Sequence, residues 1–187
     1  MLSKFESKEH DCITVTVSQI DPGRAATVEY DGTELYLSKN EQIPGEVLTP
    51  GQLVKVYISG IVAKTRKPIV KISRAHRDFV KALFDLNIPE VHDGTIEIKS
   101  VSREAGLRTK VAVRSNDPKV KAIGSCIGPD SERKNAISEE LGGEAIDIIL
   151  WDEDPAVFIA NALSPAEAPL KVLLLSAEEK RSVVVVK

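Results

Sequence analysis

The chain has 187 residues and carries 25 basic and 28 acidic side chains, a formal net charge of −3. A hydrophobic share of 42% beside 28% charged residues excludes a disordered polar tail. No apolar run approaches the ~20 residues that span a bilayer, and the first residues lack a secretory h-region. Cys12 and Cys126 form neither a disulfide scaffold nor a metal-ligand spacing, so a reducing, cytoplasmic setting is expected.

The first sixty residues predict short strands. Ile13, Val15 and Val17 alternate with Thr14 and Thr16, the period of a half-buried strand. Asp21-Pro22-Gly23 marks a turn. Residues 27–30 and 34–37 flank Asp31-Gly32, a two-residue hairpin signature. Pro44-Gly45 and Pro50-Gly51 punctuate the next loop, and 53–58 and 69–72 complete five strands. Five short strands with turn-rich connections suit a small OB-type barrel, with a sandwich fragment as the rival.

The period then changes. Phe79, Val80, Leu83 and Phe84 fall at helical spacing within 75–87, a helix stopped by Pro89 and expected to link two modules. Strands are predicted at 95–101 and 108–115, around Ala105-Gly106. A short helix at 120–127, a tight loop at 128–131 and a helix at 131–141 follow, the last closed by Gly142-Gly143. Residues 145–151 read as an apolar strand in which Trp151 is expected in the core. Asp154-Pro155 opens a helix to about 163. Residues 171–175 and 181–186 form a hairpin whose valines, Val183 to Val186, make an apolar edge.

Charge is unevenly spread. Residues 62–77 hold six basic and no acidic side chains, and 99–121 hold seven basic against two acidic. Residues 124–187 reverse the balance, with six basic against twelve acidic. Clustered Lys and Arg attract polyanions, so the basic middle points toward nucleic acid. The loop Gly124-Ser125-Cys126-Ile127-Gly128-Pro129-Asp130-Ser131 between two helices lets a nucleic-acid backbone approach. In a KH module this loop reads Gly-x-x-Gly; here Ser131 stands for the second glycine and Asp130 for a middle residue. The plainer alternative is a structural turn capped by Asp130 or Ser131. Tyr30 and Tyr36, on the second and third strands, are candidates for base stacking or simply for packing. His10, His76 and His92 show no partner pattern. Asp152-Glu153-Asp154 suits a helix start better than a metal. No constellation for acid–base, nucleophilic or metal chemistry is present, and neither enzyme activity, a cofactor nor a metal is expected.

Longer stretches carry a resemblance. Ser73-Arg74-x-His76, Leu83-Phe84-x-Leu86-x-Ile88-Pro89-Glu90, residues 93–101 (DGTIEIKSV), Arg103-Glu104-Ala105-Gly106 and residues 110–117 (KVAVRSND) resemble the NusA family of bacterial transcription factors. So do Gly124-Ser125-Cys126-Ile127-Gly128, Glu41-Gln42-Ile43-Pro44-Gly45-Glu46 and Asp154-Pro155-x-x-Phe158-Ile159-Ala160-Asn161. The resemblance implies an all-β OB-fold barrel of S1 type at 10–73 and a linker helix at 74–92. An α+β type II KH domain at 93–168 and the opening hairpin of a second KH domain at 169–187 are implied as well. It implies binding of nascent single-stranded RNA at the RNA polymerase elongation complex, modulating pausing, termination and antitermination. Other Nus-type factors are further implied partners, and a membrane is not. The family's polymerase-contacting domain and the rest of the second KH domain are expected to lie outside this chain.

The expected RNA path crosses the barrel at Arg24, Tyr30, Tyr36 and Lys39, then the basic stretch at Lys64, Arg66 and Lys67. It continues over Arg103, Arg108, Lys110 and Arg114 to Gly124, Gly128, Pro129 and Ser131. Asp130 is expected to weaken the phosphate grip. The competing expectation is a protein–protein scaffold whose KH loop has lost RNA binding, docked through the acidic end.

Overall fold

A computed structural model describes residues 3–23, 25–62 and 69–186. A one-turn helix α1 (Ser3–Glu6) precedes five strands: β1 (Cys12–Ile20), β2 (Ala26–Tyr30), β3 (Thr33–Leu37), β4 (Leu53–Val62) and β5 (Ile69–Ser73). They pair antiparallel in the order β3-β2-β1-β4-β5, and β3 returns to β5, so the sheet nearly closes into a barrel. The β2–β3 turn is tight because Asp31 and Gly32 both take positive φ, 47° and 69°, as a primed two-residue turn requires. Alternation puts Val15, Val17, Val28, Leu35, Leu37, Val54 and Val56 inside. Phe5 of α1 joins them, and its ring lies 5.7 Å from Tyr30.

Helices α2 (Arg77–Asn87) and α3 (Pro89–His92) follow. The ring of His76 caps α2, Nδ1 accepting from the Asp78 amide at 3.1 Å. Pro89 ends α2, as expected, but it also opens α3, since proline suits a first helical turn. Next come β6 (Ile96–Glu104), β7 (Arg108–Ser115), α4 (Ala122–Ile127), α5 (Glu132–Glu140) and β8 (Ala145–Leu150). Strand β7 is central, antiparallel to β6 and parallel to β8. Helices α2, α4 and α5 cover the face that bears Val111, Val113 and Ile146. Helix α2 is therefore part of this module's core rather than a free linker. Phe79, Val80, Leu83 and Phe84 are completely buried, each phenyl contributing about 1.5–3 kcal/mol. Helix α6 (Pro155–Ala162), capped by Asp154, leads to a two-stranded hairpin, β9 (Lys171–Ser176) and β10 (Arg181–Val185). No helix among the described residues is long and apolar enough to cross a membrane.

The barrel and the helix-covered sheet share a core. Ile43 and Tyr57 of the barrel pack in one cluster with Phe79, Val111 and Leu141. Two arginines close the joint. Arg74, its side chain 5% exposed, donates from Nε to Glu46 (3.0 Å) and from Nη1 to Glu140 (2.9 Å) and the Lys55 carbonyl (2.6 Å). Arg103, 1% exposed, faces Glu144, 0% exposed, with Nη2 at 2.9 Å and Nε at 3.0 Å. Its Nη1 donates to the carbonyls of Arg74 and His76. Gly106 lies against the barrel loop so closely that a Cβ there would stand 2.8 Å from the Pro44 carbonyl oxygen.

Candidate nucleic-acid interface

The loop between α4 and α5 is built on left-handed backbone. Gly128 has φ 76°, Asp130 49° and Ser131 63°. Gly128 also needs its missing side chain, because a Cβ would come within 2.7 Å of Arg133 Cγ. Arg133 is the residue that sequence reasoning missed. Its guanidinium donates to Glu90 at 2.7 Å and to the Ser125 carbonyl at 2.8 Å, pinning α4, α5 and α3 together beneath the loop. The only signal was a basic pair, Arg133-Lys134, in the first turn after the loop. Pro129 and Asp130 are exposed, and Ser131 is half-buried. Neither Asp130 nor Ser131 makes a side-chain capping bond at the ends of these helices. Ser131 therefore holds a conformation that suits glycine, without compensation from a cap. Ser131→Gly is expected to raise unfolding stability by about 0.5–1 kcal/mol, measured by urea denaturation.

The structure divides the remaining candidates. Gly124, Gly128, Pro129 and Ser131 converge on this loop. Arg108, Lys110 and Arg114 project from β7 on the face opposite the helices, alternating with buried Thr109, Val111 and Val113. Each is paired there. Arg108 and Lys110 lie 3.3 and 3.6 Å from Asp147, and Lys110 also bonds the Ser164 carbonyl. Arg114 lies 3.0 Å from Glu153. Arg103 belongs to neither surface. Alternation turns it toward the helices, where Glu144 and two carbonyls occupy it, so its expected phosphate contact is corrected to a structural one.

On the barrel, Tyr36 points outward and is 60% exposed, and Lys39 is exposed beside it in a 3-10 turn. Tyr30 faces inward and packs on Phe5, with Lys4 5.9 Å from its ring. That position favours the packing alternative over stacking. Arg24, Lys64, Arg66 and Lys67 lie outside the described residues. Trp151, expected in the core, is only half-buried and sits beside Lys99 and Arg114.

Two cysteines and two glutamates are held within the fold. Burial pushes the thiols of Cys12 and Cys126 up to about 12, which leaves both as poor nucleophiles. Burial also pushes the Glu140 and Glu144 carboxyls up. Hydrogen bonds from Arg74 and the Lys55 amide outweigh that for Glu140, and bonds from Arg103, Thr109 and the Gly106 amide do so for Glu144. Both carboxyls end below the ordinary value of 4.5. No cluster among the described residues has metal-binding composition.

A sequence model of the NusA-like first KH domain matches residues 74–151. The chain is 44% identical over 186 residues to the transcription termination/antitermination protein NusA of Bacillus subtilis, covering 98% of this chain and 49% of that protein. The protein of that name from Thermus thermophilus is 43% identical over 165 residues, 88% of this chain and 43% of its own length. The Mycobacterium tuberculosis protein is 43% identical over 171 residues, 88% of this chain and 49% of its own length. The name these relatives share, transcription termination/antitermination protein, is not that of an enzyme. The chain spans about half the length of the curated relatives it matches. An antiparallel barrel joined to a KH-type module, with this similarity along nearly all of its residues, makes the chain similar to about half of a NusA transcription termination/antitermination protein.

Proposed function

We propose that the chain is the RNA-binding part of a transcription elongation factor, an S1-type OB barrel followed by a type II KH domain. Single-stranded RNA emerging at the RNA polymerase elongation complex is its ligand. Pausing, termination and antitermination are the steps it modulates, alongside other Nus-type factors. One observation carries the reading. The Gly128-Pro129-Asp130-Ser131 loop, exposed at Pro129 and Asp130, joins two helices of a KH-type module through left-handed backbone, the geometry that lets an RNA backbone lie close. The exposed Tyr36 and Lys39 extend the surface onto the barrel.

Asp130 opposes this grip. Two unit charges about 6 Å apart in water interact by about 0.7 kcal/mol, so reversing one sign gains about 1.4 kcal/mol, close to tenfold. Fluorescence anisotropy of a labelled single-stranded RNA pool, measured across a salt series, tests the reading. Three or four phosphate contacts give a slope of log affinity against log salt of about −2 to −3. Asp130→Lys with Ser131→Gly is expected to tighten binding by roughly tenfold. No binding at low salt refutes the reading. The scaffold alternative then takes its place, favoured by Asp130 and by the carboxylates already paired with Arg108, Lys110 and Arg114.

A further inference from the structure

On the sheet face opposite the helices, the only tryptophan of the chain sits beside two cations. Trp151 follows β8 directly, and its amide donates to the Val113 carbonyl at 2.9 Å, which sets the residue next to Arg114 on the central strand. Lys99 Nζ lies 4.8 Å from the ring centroid, and the Arg114 guanidinium carbon lies 5.4 Å from it. Lys99 is the extra residue of a bulge in β6, between Ile98 and Ser100, and such a bulge re-aims a side chain. Each cation is tethered by a solvated carboxylate, Lys99 by Glu97 at 3.2 Å and Arg114 by Glu153 at 3.0 Å. Exposed pairs of this kind are weak, and a phosphate replaces such a carboxylate with comparable or better hydrogen bonding.

We propose that Trp151, flanked by Lys99 and Arg114, is a base-stacking platform for single-stranded RNA on the outer face of the KH-type sheet, distinct from the Gly128 loop. The inference rests on the RNA-binding reading and supplies the aromatic contact that reading lacks on this module. A base stacked on an indole outweighs the exposed cation–π contact it displaces. The flanking cations then turn to the phosphates on either side, and Glu97 and Glu153 are released to water. An acidic protein segment would satisfy the two cations but offers no flat π-face for the indole.

Because Trp151 is the sole tryptophan, emission excited at the red edge of the indole band, where the three tyrosines do not absorb, reports this site alone. Titration of the full 187-residue chain with a single-stranded adenine oligoribonucleotide is expected to quench that emission. The midpoint is expected to match the anisotropy of the same RNA carrying a dye. Trp151→Ala is expected to weaken RNA binding on the order of tenfold, and Trp151→Phe to retain most of it. Circular dichroism checks the fold of both variants; should the alanine variant not fold, the wild-type quench and the phenylalanine variant decide. RNA binding with unaltered emission, or with equal affinity in the alanine variant, overturns the platform and leaves the RNA-binding reading standing. Absence of RNA binding by anisotropy overturns both.

Discussion

Replacing Glu144 with alanine is expected to cost about 3–5 kcal/mol of unfolding free energy, because it strands a buried guanidinium. The side chains of Arg103 and Glu144 are 1% and 0% exposed, so water cannot take the place of the lost partner. The carboxylate also receives the Gly106 amide at 2.9 Å and the Thr109 hydroxyl. Alanine therefore removes the acceptor of four donors at once, Arg103 Nε and Nη2, the Gly106 amide and the Thr109 hydroxyl. Urea unfolding at neutral pH reads the loss directly. The pH profile gives the second reading. Glu144 has a folded pKa held below the ordinary 4.5, so its stabilisation is complete above that value and is lost as pH falls through the folded value. The wild-type chain is expected to lose stability below about pH 4.5, and Glu144→Gln to show a shallower acid limb. An alanine variant as stable as wild type would mean that the pair is solvated in solution.

The second large effect is expected at Arg74. This side chain joins Glu46 of a barrel loop and the Lys55 carbonyl of β4 to Glu140 of α5. Arg74→Ala leaves two mostly buried carboxylates facing each other without their shared cation, an expected loss of about 3–5 kcal/mol. Lys55 stays 3.1 Å from Glu140, so the lower end of that range is the better expectation. Arg74→Lys is expected to recover only part of the loss, because an ammonium cannot reach both carboxylates and the carbonyl from one planar fork. The structural consequence differs from that of Glu144→Ala. Small-angle scattering is expected to show a larger radius of gyration for Arg74→Ala at low urea, as the barrel swings away from the sheet. An unchanged radius would place the hold on Ile43 and Tyr57 alone.

Much of the fold was legible in the sequence. The bounds expected for β7, 108–115, are those found, because polar residues flank the apolar run Val111-Ala112-Val113 on both sides. The Asp31-Gly32 and Asp154-Pro155 signals worked because a two-residue turn and an N-cap are decided within four residues. What failed was long-range. A basic residue on an amphipathic strand looks solvated unless its partner is known, and the partner of Arg103 is 41 residues away. Helix α2 looked like a linker because its apolar stripe does not say which sheet covers it. Tyr30 and Tyr36 are alike in composition, and only the inward turn of one onto Phe5 separates them. Trp151 has the mass of a core residue, but it stands one residue past the strand, where the covering layer ends. The Gly-x-x-Gly comparison located the loop at once; the left-handed φ of Ser131 explains why serine there carries a local cost.

The contact of Gly106 with the Pro44 carbonyl bears on how the chain was assembled as a polymer. It brings together two points some sixty residues apart, and the Glu46–Arg74–Glu140 clasp closes loops that overlap that span, from 46 to 74 and from 74 to 140. Once either tie has formed, the ends of the other are already near, and the logarithmic cost of closing its loop has largely been met. The two clasps are thus thermodynamic partners without sharing an atom pair. Each raises the effective concentration of the other, so a double substitution in which neither tie can form loses less than the two single losses added together.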